Sequence, residues 1–176
     1  DHCGGATKRD GDKIVPAFKN ARFWCQKDHW EWATISPNPR EKASFLKENL
    51  LPIKDSGQLT LFEGREAGFC KELGFEMLLV DGHTEKMVLP KIHYKGKTIV
   101  FAADLVPTVG HIPIPYLMGY DIRPLVTMKE KALLLNDAAK NGFLLFMQHD
   151  AHNEVVSLKN TEKGVCLDQA ISLKNL

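Results

Sequence analysis

Long apolar runs are absent from this chain of 176 residues, and none approaches the roughly 20 residues that a membrane-spanning helix requires. A helical membrane protein is therefore not expected. A surplus of one charge is missing too: 23 basic residues face 22 acidic ones, for a net +1, and no basic stripe interrupts that balance. This excludes the strong field by which a protein holds nucleic acid or an anionic membrane. Cysteine is sparse. Cys3, Cys25, Cys70 and Cys166 are widely scattered and form no Cys-x-x-Cys pair, so they predict reduced thiols in a cytoplasmic setting and no disulfide framework. Cys3, next to His2, reads as a small buried filler ahead of a metal ligand.

Hydrophobic residues make up 44% of the chain, enough for a core in one domain. The stretch from Leu78 to Asp104 organises it. Met77 to Val80 is continuously apolar and predicts a buried strand, with His83 three residues beyond it in a Gly-His-Thr turn. Residues 87–92 and 98–104 read as a hairpin around Lys95-Gly96-Lys97, the second strand closing on Asp104. Phe143 to Met147 predicts another buried strand, which delivers Gln148-His149-Asp150. Between these elements, residues 105–121 hold three prolines and two glycines yet are too apolar for a free linker, which predicts an ordered, packed loop. A helix is expected from Val126 to Asn141, with Thr127 as cap and Gly142 as stop.

The first third is less periodic. Lys8 to Lys13 reads as a solvated turn, residues 27–33 as a helix capped by Asp28, and Arg40 to Leu51 as an amphipathic helix stopped by Pro52. Ser36-Pro37-Asn38-Pro39 is a breaker, and residues 63–68 are a turn-rich rim or surface loop.

Three apolar strands thus release His83, Asp104 and His149 at their ends. A carboxylate after Val100-Phe101-Ala102-Ala103 needs solvent, a counter-charge or a metal. Imidazole nitrogen and carboxylate oxygen suit Zn²⁺, Fe²⁺ or Mn²⁺, and an aspartate can bridge two such cations.

The motifs go further. Asp1-His2 before Cys3-Gly4-Gly5, Gly82-His83-Thr84, Ala103-Asp104 and His149-Asp150 occur in that order over nearly the whole chain. Together they resemble the metallo-β-lactamase-fold hydrolases, whose signature is a His-x-His-x-Asp-His loop, a Gly-His-Thr turn, a strand-end aspartate and a late histidine. The resemblance covers the C-terminal two-thirds of that fold and is closest in character to its acyl-homoserine lactonase members. It implies an α/β fold, an αββα sandwich lacking its N-terminal strands, so that residues 1–176 form an incomplete domain. Residues 28–56 would be a helical rim or lid over the active site.

Two Zn²⁺ ions, or Fe²⁺ or Mn²⁺, are the implied cofactors. By resemblance Asp1, His2 and His149 serve one metal, His83 serves the other, and Asp104 bridges them. The remaining two histidines would lie in a segment before Asp1. The implied reaction is attack of a metal-bridging hydroxide on a small ester or lactone with an apolar portion. Asp1 and Asp104 would be catalytic residues and His111 a substrate-facing donor. Trp30, Trp32, Phe45 and Leu46 with residues 112–117 would line an apolar pocket, or pack a core or a homodimer. A phosphodiester, organophosphate, thioester or β-lactam substrate, and a non-catalytic metal-binding or dimer-forming fragment, are the alternatives. Asp150 is expected behind His149 or paired with a lysine, Met87 in packing, and His152 near the site or exposed.

Overall fold

The computed structural model describes every residue except Ser36 and residues 65–68, and the side chains of all of these except Phe69 and Lys71. The breaker's Ser36 and residues 65–68 of the turn-rich segment therefore lie outside the described residues. The chain forms two units, Asp1–Gly64 and Arg65–Leu176.

In the first unit, β1 (Thr7–Asp10) and β2 (Lys13–Pro16) form an antiparallel hairpin, so the expected turn at Lys8 to Lys13 is only its tip. Gly11, at φ 58°, supplies the left-handed step that this tip needs. β3 (Phe23–Gln26) runs parallel to β4 (Leu59–Phe62), and α1 (Lys27–Thr34) and α2 (Lys47–Asp55) lie between them in sequence. The cap of α1 is Gln26, not Asp28: its side-chain oxygen accepts from the His29 N–H at 3.0 Å. The helix expected over 40–51 is displaced. Asn38 Oδ1 accepts from the Arg40 and Glu41 amides at 2.9 and 3.2 Å, a local turn that competes with helix. The helix starts only at Lys47 and contains Pro52, because the carbonyl that a residue-52 N–H would have served belongs to exposed Glu48. Trp30, Ala33, Phe45 and Leu50 form the core of this unit, with Cys3, Cys25 and Trp32 packed against it.

The second unit follows α3 (Phe69–Leu73) with β5 (Phe75–Val80), β6 (Met87–Tyr94), β7 (Lys97–Phe101), α4 (Pro124–Asn141), β8 (Leu144–Phe146), β9 (Val155–Thr161) and β10 (Gly164–Ile171). The six strands form one sheet in the order β10-β9-β8-β7-β6-β5, antiparallel except for the parallel pair β7 and β8. Leu89, Val100 and Leu145 from the sheet and Leu134, Leu135 and Ala138 from α4 meet in its core. Each fully buried aliphatic side chain there contributes about 1.5–3 kcal/mol. α4 begins two residues before expectation: Arg123 is its cap, Pro124 its first residue, and Thr127 is buried inside it. Gly142, at φ 70°, ends it as expected. No helix among the described residues is long and apolar enough to cross a membrane, and none of the four cysteines is disulfide-bonded.

Candidate metal centre

Sheet topology gathers the second unit's site. β7 and β8 are parallel neighbours, and β5 and β7 both run antiparallel to β6, so β5, β7 and β8 point the same way. Their carboxyl ends therefore lie along one margin of the sheet. His83, Asp104 and His149 each stand three residues past a strand end, after Val80, Phe101 and Phe146. Asp104 does not close a strand, as its sequence suggests. β7 stops at Phe101, Ala103 takes a left-handed φ of 44°, and Asp104 sits in the 3₁₀ turn Ala103–Leu105. That backbone is costly for alanine, and it turns the carboxylate back among the strand ends.

The Gly-His-Thr turn is fastened to the start of α4. Glu130 accepts from the Asp81 and Gly82 amides at 2.8 and 3.0 Å. Arg123 donates from Nη1 to the Asp81 carbonyl at 2.6 Å and from its amide to the Gly82 carbonyl at 2.9 Å, and Ile122 N–H reaches the His83 carbonyl at 3.3 Å. Burial pushes the Glu130 carboxyl above its usual range despite the two amides it receives. The turn sits so close to α4 that a Cβ on Gly82 would come within 2.2 Å of the Thr127 amide nitrogen.

The side chains converge on Asp104. Its carboxylate is 1% exposed, with Oδ2 3.4 Å from His83 Nε2 and Oδ1 2.8 Å from His149 Nε2. His83 is buried as well, whereas the His149 side chain is 36% exposed and forms the open side of the group. Behind His83, Asp121 Oδ1 lies 2.9 Å from Nδ1. The His149 loop is tied to the segment after Asp104: His149 N–H donates to the Pro107 carbonyl at 3.1 Å, and Asp150 Oδ2 accepts from the Val109 amide at 3.0 Å. A buried carboxylate with a separate imidazole at each oxygen fits a pair of metal-binding groups that share it, one through His83 and one through His149. The nitrogen and oxygen donors suit borderline divalent cations.

No protein-family model matches the sequence, and no curated protein matches it. Solved structures do match. The chain is similar to a probable metal-dependent hydrolase from Staphylococcus aureus, with 26% identity and a TM-score of 0.81 over 100% of this chain and 60% of that one. A second match is AbOPH, a hydrolase in the beta lactamase superfamily: 19% identity, TM-score 0.75, 97% of this chain and 60% of the other. The fold is that of the metallo-β-lactamase superfamily. AidC, a dizinc quorum-quenching lactonase, shares this metallo-β-lactamase architecture at 18% identity and a TM-score of 0.75, over 98% of this chain and 62% of its own. The chain spans about 60% of the length of these three proteins.

The other residues singled out in the sequence have defined places in this metallo-β-lactamase fold. Asp1 and His2 belong to the first unit, where His2 Nε2 is 3.9 Å from Asp1 Oδ2 and His2 takes a φ of 56°. Cys3 packs against the core of that unit. His111 lies in the 3₁₀ turn Val109–His111, with Nδ1 2.8 Å from Thr108 Oγ1. Burial, helped by the Lys131 charge, holds its imidazole below its ordinary range. Met87 is buried in the core, and His152 is exposed. Asp150 pairs with no lysine among the described residues. It accepts instead from the backbone of Val109, His152 and Asn153, and those bonds hold its carboxyl down at about 2.

Two residues escaped the sequence reading. Lys131 is fully buried, and its Nζ donates to the carbonyls of His111, Pro113 and Tyr116 at 3.0, 3.1 and 2.6 Å. A charged residue on the helical face of Leu134, Leu135 and Ala138 was the available signal. Asp121 carried no local signal at all.

Proposed function

We propose that this chain is the larger part of a binuclear metal-dependent hydrolase that opens a small ester or lactone, with an acyl-homoserine lactone as the leading substrate. The observation that carries this reading is Asp104: a buried carboxylate whose two oxygens address two different histidines. A monodentate partner would need only one of them, whereas a bridge uses both. AidC supports the lactone choice, since that lactonase is described with a bound N-hexanoyl-L-homoserine product.

In this proposal His83 and Asp104 serve one metal, and Asp104, His149, Asp1 and His2 serve the second. Zn²⁺ is the expected ion, with Fe²⁺ and Mn²⁺ compatible with the same donors. When bound, the metals supply an acidified water and Lewis-acid polarisation of the scissile carbonyl.

The chain's own residues do the rest. Asp104 spaces the two groups and keeps negative charge between them. Asp1 orients the attacking water and holds its proton, and the neutral His111 imidazole donates toward the substrate. Residues 28–56 serve as a rim. The free thiols accord with a reducing, cytoplasmic compartment.

The test is elemental analysis and a substrate panel on the longest natural form of the polypeptide. Two metals per chain and turnover of acyl-homoserine lactones are expected. Turnover of phosphodiesters but no lactone would overturn the substrate. No bound metal after reconstitution would overturn the metal centre and favour a non-catalytic role.

A further inference from the structure

We propose that Asp121 is the positioning residue of His83: its carboxylate grips the ring at Nδ1 and so fixes Nε2 as the nitrogen presented to Asp104. The inference deepens the metal-centre reading and rests on His83 being a ligand there. Three independent features of the second unit carry it.

The first is geometry. Asp121 Oδ1 stands 2.9 Å from His83 Nδ1, with the two side chains 0% and 5% exposed. With the carboxylate oxygen as the acceptor, this hydrogen bond places the proton on Nδ1 and leaves the Nε2 lone pair outward, 3.4 Å from Asp104 Oδ2. The second is rigidity. Ile122 N–H to the His83 carbonyl and Arg123 N–H to the Gly82 carbonyl lock residues 121–123 against the histidine turn, so Asp121 cannot shift along it. Asp121 N–H is itself held by the Met118 carbonyl at 3.2 Å.

The third feature is cost. Asp121 Oδ2 is buried and, among the described residues, accepts no hydrogen bond. A buried carboxylate oxygen in that state is expensive, and a fold built only for stability would place an apolar residue of similar size there. Beyond the His83 bond at Oδ1, the carboxylate is offset by charge: Lys131, buried on α4 and anchoring the loop that ends at Asp121, lies within electrostatic reach of it. Histidines that ligate metals usually donate their second ring N–H to such a carboxylate, which raises ligand basicity as well as fixing orientation.

The experiment uses the full chain and the variants Asp121→Ala and Asp121→Asn. Asparagine keeps the volume and guards against loss of folding, but its amide offers either an acceptor or a donor to Nδ1, so the selection is lost in both variants. The ring nitrogens of His83 are followed by ¹⁵N NMR at pH 8.5 in metal-free protein, and Zn²⁺ affinity by competition with a chelating dye. Wild type is expected to hold the Nδ1–H tautomer. Both variants are expected to lose that preference and to bind Zn²⁺ about 10–100-fold more weakly. Retention of the Nδ1–H form, or affinity within twofold of wild type, in a folded variant would overturn the proposal and leave Asp121 a packing residue. If wild type itself binds no Zn²⁺, the metal-centre reading fails, and the NMR readout still decides what Asp121 does to His83.

Discussion

Replacing Gly82 with alanine tests whether the histidine turn and α4 are one rigid piece. The added Cβ would meet Thr127 N at 2.2 Å, Thr127 Oγ1 at 2.4 Å and Thr127 Cα at 2.5 Å. Two of those atoms are helix backbone, which cannot rotate away. The turn or the helix must retreat by about 1.2 Å to bring the 2.2 Å contact out to the 3.4 Å where ordinary van der Waals contact begins. Overpacking of this kind costs about 1–3 kcal/mol. The retreat also stretches the bonds from the Asp81 and Gly82 amides to Glu130, each worth about 1 kcal/mol. The unfolding midpoint in guanidinium chloride should fall accordingly, and Zn²⁺ affinity should fall with it, because His83 moves with the turn. Thr127→Ala in the same background should restore neither, since it removes Oγ1 and leaves the backbone contacts. Stability within about 0.5 kcal/mol of wild type, the range of an inert surface change, or full rescue by Thr127→Ala would refute the reasoning.

Three further outcomes are expected. Asp104→Ala and His149→Ala should lower metal content far more than His29→Ala or His93→Ala, and equal loss by elemental analysis in all four would count against the assignment. Lys131→Met keeps the length of the side chain but removes the donor shared by the His111, Pro113 and Tyr116 carbonyls. It should cost about 1–3 kcal/mol and speed amide exchange across residues 109–118, and unchanged exchange there would show that the loop holds itself. Burial pushes the Cys25 thiol up to about 12, so it should resist iodoacetamide at pH 8 in native protein and react once unfolded. The folded state then keeps a proton that the unfolded state releases above about 9, so the contribution of Cys25 to stability is complete below that pH and is lost as pH rises toward 12. Rapid native labelling at pH 8 would disprove the burial.

Much of the second unit could be read from the chain alone, since its signals are local. A continuous apolar run marks β5, a Lys-Gly turn between β-favouring stretches marks the β6 and β7 hairpin, and Asn141-Gly142 marks the end of α4. The first unit was harder to read. Side chains there decide boundaries over two or three residues, as Gln26 does for α1 and Asn38 does in delaying α2. Periodicity over a dozen positions cannot see such contacts.

The same division runs through the site. Sequence alone determined that His83, Asp104 and His149 each follow an apolar strand, and that buried imidazole and carboxylate groups there need charged company, because burial of an ion is costly wherever the strand lies. Only the tertiary structure decided that β5, β7 and β8 run the same way and release those residues at one margin. Strand direction within a sheet depends on pairings between distant segments. Asp121 is 38 positions from the histidine it holds, and Gly82 is required by the backbone of a helix 45 residues later, so neither requirement leaves a mark in its own neighbourhood.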